Sequence, residues 1–337
     1  MSAPGSAPAI TVAGRSDLLF AGAEVIEREE AGVRRSYRTA GEFLSDGSGA
    51  ASGLSTLMER LCRPRPPISG LTLNRPRVMG IINVTPDSFS DGGRYLAQDA
   101  AIEHGFRLEA EGAEILDIGG ESTRPGSEAV DLDEECRRVL PVIAALTKRS
   151  RALISIDTRK AEVMRRAALE GAHLINDVSA LTHDPNSLGA AAATGLPVVL
   201  MHARGDPRTM QQNPTYDDVV LDVSDWLEAR IEACEAAGIP RARLIVDPGI
   251  GFGKTLAHNL ALLGSLSLYH GLGCALLLGA SRKSFIGKLM GAGVDERLPG
   301  SLAAALIGSE QGAQILRVHD VAATRQALAV WEGARAA

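Results

Sequence analysis

Eight short apolar runs, each followed by a longer amphipathic stretch, recur from residue 73 onward and predict an α/β chain closed as a (β/α)8 (TIM) barrel. Two further observations point the same way. Nearly every run ends in a polar residue suited to binding or catalysis, and a barrel gathers its strand ends on one rim. The first run also lacks the glycine-rich turn with which an open, doubly wound sheet would receive a nucleotide; it ends in Asn83-Val84-Thr85-Pro86-Asp87.

In chain order, the first strand is RVMGIIN (77–83), ending in Asn83. The second, EILDIG (114–119), contains Asp117 and runs into Glu121-Ser122-Thr123-Arg124. LISID (153–157) ends in Asp157, HLIND (173–177) in Asn176 and Asp177, and PVVLMH (197–202) in Met201 and His202. RLIVD (243–247) ends in Asp247, CALLLGAS (274–281) leads to Ser281-Arg282-Lys283, and AQILRVH (313–319) carries Arg317 and His319. Helical stretches alternate with them, from DAAIEHGFRLEAEGA through DEECRRVLPVIAALTKRS, RKAEVMRRAALEGA, DVVLDVSDWLEARIEACEAAG and LPGSLAAALIGSEQG to DVAATRQALAVWEGARAA. Residues 1–72 read as an N-terminal extension and linker. The EEAG turn between two alternating segments permits a short hairpin, and the Gly/Ser and Pro-rich stretches SDGSGAASG and RPRPPISG read as a partly mobile joint.

Composition narrows the function. The chain has 337 residues, a net charge of −6, 45% hydrophobic and 23% charged residues, which argues against disorder and against a basic nucleic-acid clamp. Aromatics are only 4%, so stacking platforms for bases are scarce. Cys62, Cys136, Cys234 and Cys274 form no C-x-x-C pair, so neither a zinc knuckle nor a redox dithiol is expected. With no span of about 18 apolar residues and no signal-peptide pattern, a cytoplasmic protein without membrane partners is expected. GIGFGK (249–254) lacks the G-x-x-x-x-G-K-[ST] spacing of a phosphate loop.

The rim residues divide into two groups. Asp117, Asp157, Asn176, Asp247 and Lys283 form a donor and acceptor array suited to a flat ring rich in heteroatoms. Arg317, His319 and Asn83 suit a phosphate or diphosphate, with an oxygen ligand for Mg2+. After the first strand, NVTPDSFSDGGRY has the length and turn chemistry of a lid, and in GGESTRPGSEA Pro125 holds Arg124 extended.

The strings MGIINVTPDSFSDGG, ILDIGGESTRPGS, ISIDTRK, INDVS, VDPGIGFGKT, GASRKSFIG and RVHDV, in this order, closely resemble the dihydropteroate synthase family of folate biosynthesis. The resemblance runs from residue 77 to the C-terminus. It implies a barrel that joins 6-hydroxymethyl-7,8-dihydropterin diphosphate to p-aminobenzoate, giving 7,8-dihydropteroate and pyrophosphate, and that belongs to the target class of sulfonamides. Position by position, it implies pterin recognition by Asp157, Asn176, Asp247 and Lys283, with Arg317 lying over the pterin and reaching phosphate. Asn83, Asp91 and His319 correspond to the family's diphosphate and Mg2+ residues. Phe89, Thr123, Arg124, Pro125, Phe252, Ser281 and Lys283 correspond to its aminobenzoate pocket. Ile250 and Ala280 are small departures that touch nothing catalytic. The resemblance also implies a homodimer through the C-terminal helices. A dissociative, SN1-like substitution with the diphosphate substrate bound first is expected. A barrel that only binds pterin, or one that passes a methyl group to a corrinoid, would not need TPDSFSDGG and STRPG.

Overall fold

The computed structural model describes residues 9–30, 32–45, 53–84, 94–122, 129–205, 210 and 212–336. The chain opens with β1 (Ile10–Val12) and β2 (Arg15–Phe20), an antiparallel pair, then β3 (Gly22–Glu29) and β4 (Gly32–Thr39), a hairpin at the position of the EEAG turn. Two helices follow, α1 (Ala40–Ser45) and α2 (Gly53–Cys62). The barrel then alternates β5 (Arg77–Asn83), α3 (Arg94–Ala110), β6 (Ile115–Gly119), α4 (Leu132–Arg149), β7 (Leu153–Asp157), α5 (Ala161–Leu169), β8 (Leu174–Asp177) and α6 (Ser187–Thr194). It continues with β9 (Val198–Met201), α7 (Val219–Ala236), β10 (Leu244–Asp247), α8 (Leu256–Gly264), β11 (Ala275–Leu278), α9 (Ser284–Met290), α10 (Leu298–Glu310), β12 (Ile315–Val318) and α11 (Val321–Ala336). Strands β5 to β12 pair in parallel, each with the next, and β12 returns to β5 to close the barrel. All eight strands lie within the expected runs. Helices α6, α8 and α9, of 8, 9 and 7 residues, were not among the expected ones.

Alternate residues of each strand enter different cores, as a pleat with period two requires. Val78, Ile82, Leu116, Ile118, Ile154 and Ile156 join the large cluster under the helices. Met79, Ile115, Leu174, Val199, Ile245 and Ile315 form a second cluster inside the barrel. Asp117, Asp247 and Arg317 each stand two residues beyond a member of that inner cluster. Layered on an aliphatic floor, the polar rim is therefore held by packing rather than by loops.

The floor is sealed from below. Ile68 and Leu73 belong to the inner cluster, and Ile68 and Leu71 exchange backbone hydrogen bonds of 2.9 and 2.8 Å that form the plug. The boundary expected between residues 72 and 73 thus runs through this plug. The extension above it is docked on the barrel: Arg60 pairs with Glu228 at 3.1 Å, Arg35 with the α7 N-cap Asp218 at 3.2 Å, and buried Arg65 donates to the His270 carbonyl at 2.9 Å. The exposed Arg35 pair contributes little; the buried contacts at Arg65 and His270 contribute more. Among the described residues, no helix is long and apolar enough to cross a membrane.

His270 lies fully buried beneath the extension, its Nε2 2.9 Å from the Gln311 carbonyl. Burial, reinforced by Arg65, pushes its imidazole down from 6.5 to about 4. A depressed value means stability that is present above pH 6.5 and lost as the pH falls through about 4. Replacing His270 by Gln, which keeps a donor for Gln311, should flatten the fall in stability over that range by up to about 1.4 kcal/mol per pH unit. Urea unfolding of both proteins from pH 7 to pH 4 measures this; parallel pH profiles would contradict it.

Candidate active site

Strand register brings the predicted rim together before any side chain is considered. Asn83 lies opposite Gly119, Gly119 opposite Asp157, and Asp157 opposite Asn176, so one level of the barrel carries three of the expected residues. Gly119 brings no side chain to this level, and Gly279, just past β11, leaves room beside Asp247 and Arg317. A Cβ on Gly279 would stand 3.6 Å from Asp247 Oδ2 and 4.0 Å from the Arg317 Cβ.

Arg317 crosses the mouth. Its Nε donates to Asp117 Oδ2 at 2.6 Å and an Nη donates to Asp157 Oδ2 at 2.7 Å, joining β12 to β6 and β7 on the far side of β5. Asn176 Nδ2 donates to the same Asp117 Oδ2 at 3.0 Å. Asp117 is completely buried, and its Oδ1 has no hydrogen-bond partner. A buried acceptor left unpaired is costly, so this oxygen is suited to an incoming N–H donor.

The charges on the rim are in tension. Two carboxylates share one guanidinium. Burial pushes the Asp157 carboxyl up to about 7, against the pull of Arg317 and with the help of Asp117. Burial also disfavours the Arg317 cation, but Asp117 and Asp157 outweigh it and hold the guanidinium above its ordinary value. Asp247, 5% exposed, is raised by burial while its Oδ1 accepts the Gly249 N–H at 2.7 Å. Burial and then Arg317 lower Lys283 to about 8, and its Nζ lies 3.9 Å from the centre of the Phe252 ring. The site therefore offers a carboxyl, Asp157, and an ammonium, Lys283, that change state near neutral pH, beside further buried carboxyl oxygens, a set matched to a ring with both donor and acceptor edges.

His319 and Ser281 meet beside this group, with His319 Nδ1 and backbone N–H 3.1 and 3.2 Å from Ser281 Oγ. Burial, followed by Arg317, depresses His319 to about 4, so it presents a neutral imidazole. Asn83 is exposed at the end of β5. Phe89, Asp91, Thr123, Arg124 and Pro125 lie outside the described residues. Among the described residues, no three His, Cys, Asp or Glu side chains cluster as a metal cage. Mg2+ does not need one, because it binds through one or two protein oxygens plus substrate phosphates and water, and the exposed Asn83 amide fits that mode.

Two strand-end residues named in the sequence analysis belong elsewhere. Asp177 faces away from the mouth and accepts the Ser179 and Leu181 N–H groups at 2.7 and 3.0 Å, shaping the turn after β8. His202 packs edge-on to Trp226, with ring centres 5.0 Å apart. Sequence reasoning also passed over a charged lattice between the ends of β6 and β7. Glu121 accepts from Arg159 and Lys160 at 2.8 Å each; Lys160 also donates to the fully buried Glu135, which accepts from Thr158 at 2.6 Å. These bonds tie the β6 and β7 ends together directly before Thr123. The available signal was Glu121 within GGESTRPG facing the adjacent Arg159-Lys160 pair in DTRK.

The comparisons agree with this geometry. Residues 79–319 match the family described as pterin binding enzyme. The dihydropteroate synthase of Escherichia coli (strain K12) is 51% identical over 264 residues, covering 78% of this chain and 93% of that protein. A solved Yersinia pestis dihydropteroate synthase with a sulfonamide drug complex is similar with a TM-score of 0.75 at 51% identity, covering 79% of this chain and 97% of the other. The Xanthomonas albilineans dihydropteroate synthase in complex with 7,8-dihydropteroate gives a TM-score of 0.74 at 50% identity, covering 81% and 100%.

Arg317→Lys keeps the charge, but a single ammonium cannot reproduce the fork between Asp117 and Asp157. At pH 8, with Asp157 ionised, the variant should lose about 1.5–3 kcal/mol of stability. At pH 5 Asp157 holds its proton in the folded state, so the loss should be smaller. Urea unfolding at both values tests this, and an equal loss at each would contradict the assigned charges.

Proposed function

The chain belongs to the dihydropteroate synthase family, and on that premise we propose that its rim joins 6-hydroxymethyl-7,8-dihydropterin diphosphate to p-aminobenzoate, releasing 7,8-dihydropteroate and pyrophosphate. The observation that carries this reading is the Asp117–Arg317–Asp157 bridge with Asn176 and Asp247 around it. A pterin presents amidine-like N–H edges to carboxylates and a carbonyl to an amide or ammonium. A wrong ring would leave these buried groups unpaired.

In the reaction, the C–O bond between the pterinyl methylene and the diphosphate breaks and a C–N bond to the arylamine forms, the amine proton passing to solvent. The leaving oxygens take up charge, which Arg317 is placed to meet, with neutral His319 and Asn83 as donors beside it. Mg2+, bound with the diphosphate, would neutralise part of that charge; Asn83 and Asp91 are the residues assigned to hold it. Asp117, Asp157 and Asp247 set a negative field under the electron-rich dihydropterin, which favours positive charge spreading into the ring and an SN1-like course. The arylamine is already nucleophilic when neutral, so no strong base is required. Phe252, Lys283, Ser281, Phe89, Thr123, Arg124 and Pro125 form the p-aminobenzoate pocket in this reading. Sulfonamides, which share the outline of p-aminobenzoate, would bind there too. Exposed Ile307 on α10 and Val330 on α11 support a second copy docked on these helices. The four free cysteines suit a cytoplasmic setting.

The full chain, given the dihydropterin diphosphate and Mg2+, is expected to form dihydropteroate, identified by mass, and pyrophosphate only when p-aminobenzoate is present. Asp157→Asn is expected to lower kcat/KM at least about 100-fold. Turnover within a few-fold of the wild type in that variant would contradict the assignment.

A further inference from the structure

The segment Gly249–Lys254, between β10 and α8, carries Phe252 to the rim. It does so on a backbone that leaves little room. Gly249 and Gly253 have φ of +70° and +62°, and a Cβ on them would stand 1.9 Å from the His202 carbonyl oxygen and 2.4 Å from that of Arg204. The loop is pressed against the end of β9, and a side chain at either glycine would push it off. Phe252 N–H donates to the Gly249 carbonyl at 3.1 Å, and Tyr216 donates to the Gly253 carbonyl at 2.8 Å.

Lys254 closes the arrangement from behind. It is 2% exposed, and its Nζ sits 2.8 Å from His202 Nδ1, 3.0 Å from the Phe252 carbonyl and 3.3 Å from the His202 carbonyl. An ammonium has three donors, and here each has an acceptor: an imidazole lone pair and two backbone oxygens. No carboxylate pairs with this side chain among the described ion pairs, so burying it is costly unless these three bonds are kept. They run between β9 and Phe252, and the Phe252 ring in turn faces the Lys283 ammonium at 3.9 Å.

We propose that Lys254 is a positioning residue for the p-aminobenzoate subsite, holding Phe252, and through it Lys283, at the rim by a tether of one bond to the Phe252 carbonyl and two to His202. This rests on the reading of Phe252 as a wall of that subsite. Lys254 itself lies behind the loop and acts on the amine substrate only through Phe252. The part of the pterin side built on β6, β7 and β8 with Arg317 is anchored away from the tether, whereas Asp247 and Lys283 border the loop, so the amine substrate should lose more than the pterin.

The test is a double-mutant cycle on the full chain with Lys254→Met and Phe252→Ala. KM for p-aminobenzoate is read at saturating dihydropterin diphosphate, and Kd for 6-hydroxymethylpterin is read by calorimetry. Lys254→Met should raise KM about tenfold while Kd for the pterin stays within about threefold. In the Phe252→Ala background the same change should add less than about twofold, because the group it positions is gone. Additive effects on KM, or an equal loss of both substrates, would overturn the tether. An unchanged KM in Phe252→Ala alone would overturn the wall itself and the inference with it. Should Lys254→Met not fold, His202→Ala removes the imidazole end of the tether and leaves the backbone bonds, and the cycle is read in the same way with a smaller rise in KM.

Discussion

Everything at the mouth of this barrel depends on one guanidinium shared by two carboxylates, Asp117 fully buried and Asp157 partly so. Arg317 reaches from β12 to Asp117 on β6 and Asp157 on β7, across the opening rather than along the wall. Such an arrangement is weak evidence for stability, since desolvation of three charged groups offsets much of their attraction. Its value lies in the charge state it enforces. Burial, with Asp117 close by, poises Asp157 near neutral pH against the pull of Arg317, and Asp117 keeps an unpaired oxygen. A ligand with the right edge of donors relieves both conditions at once, and water fits less well because it cannot match the fixed spacing of the groups.

That tension is sustained by the layers around it. An aliphatic floor of Met79, Ile115, Val199, Ile245 and Ile315, closed from below by Ile68 and Leu73, leaves the acids no route to relax downward. The chain commits its stiffest packing to the layer directly below the chemistry. Separate devices fasten the segments after the strands: a Glu121–Lys160–Glu135 lattice at the ends of β6 and β7, and the Lys254 tether behind Phe252. Each device spends a buried charge on geometry, which is the pattern expected where function rather than stability selects the residues.

How much of this could be read from the sequence follows from the range of each interaction. The eight strands were legible because their signal is local: a short apolar run bounded by polar residues. The rim was legible for the same reason, since Asp157, Asp247 and Arg317 stand at strand ends and barrel closure does the rest. Whether a strand-end residue faces the mouth or the helices depends on pleat phase, and the structure shows what Asp177, named at the end of the same run as Asn176, does instead: it shapes the turn after β8. Lys254 was hidden because its partners, His202 and the Phe252 carbonyl, include one residue 52 positions away and one backbone oxygen. The docking of the extension was hidden likewise, since Arg65 meets His270 across 205 residues.

The claim that the buried carboxylates, rather than the phosphate-binding groups, select the ligand is tested most directly by calorimetric titration of the full chain with 6-hydroxymethyl-7,8-dihydropterin, which lacks the diphosphate. The account predicts saturable binding to one site per chain that persists when Mg2+ is removed and is lost in Asp157→Ala. Binding that needs Mg2+, or that survives the loss of Asp157, would contradict it.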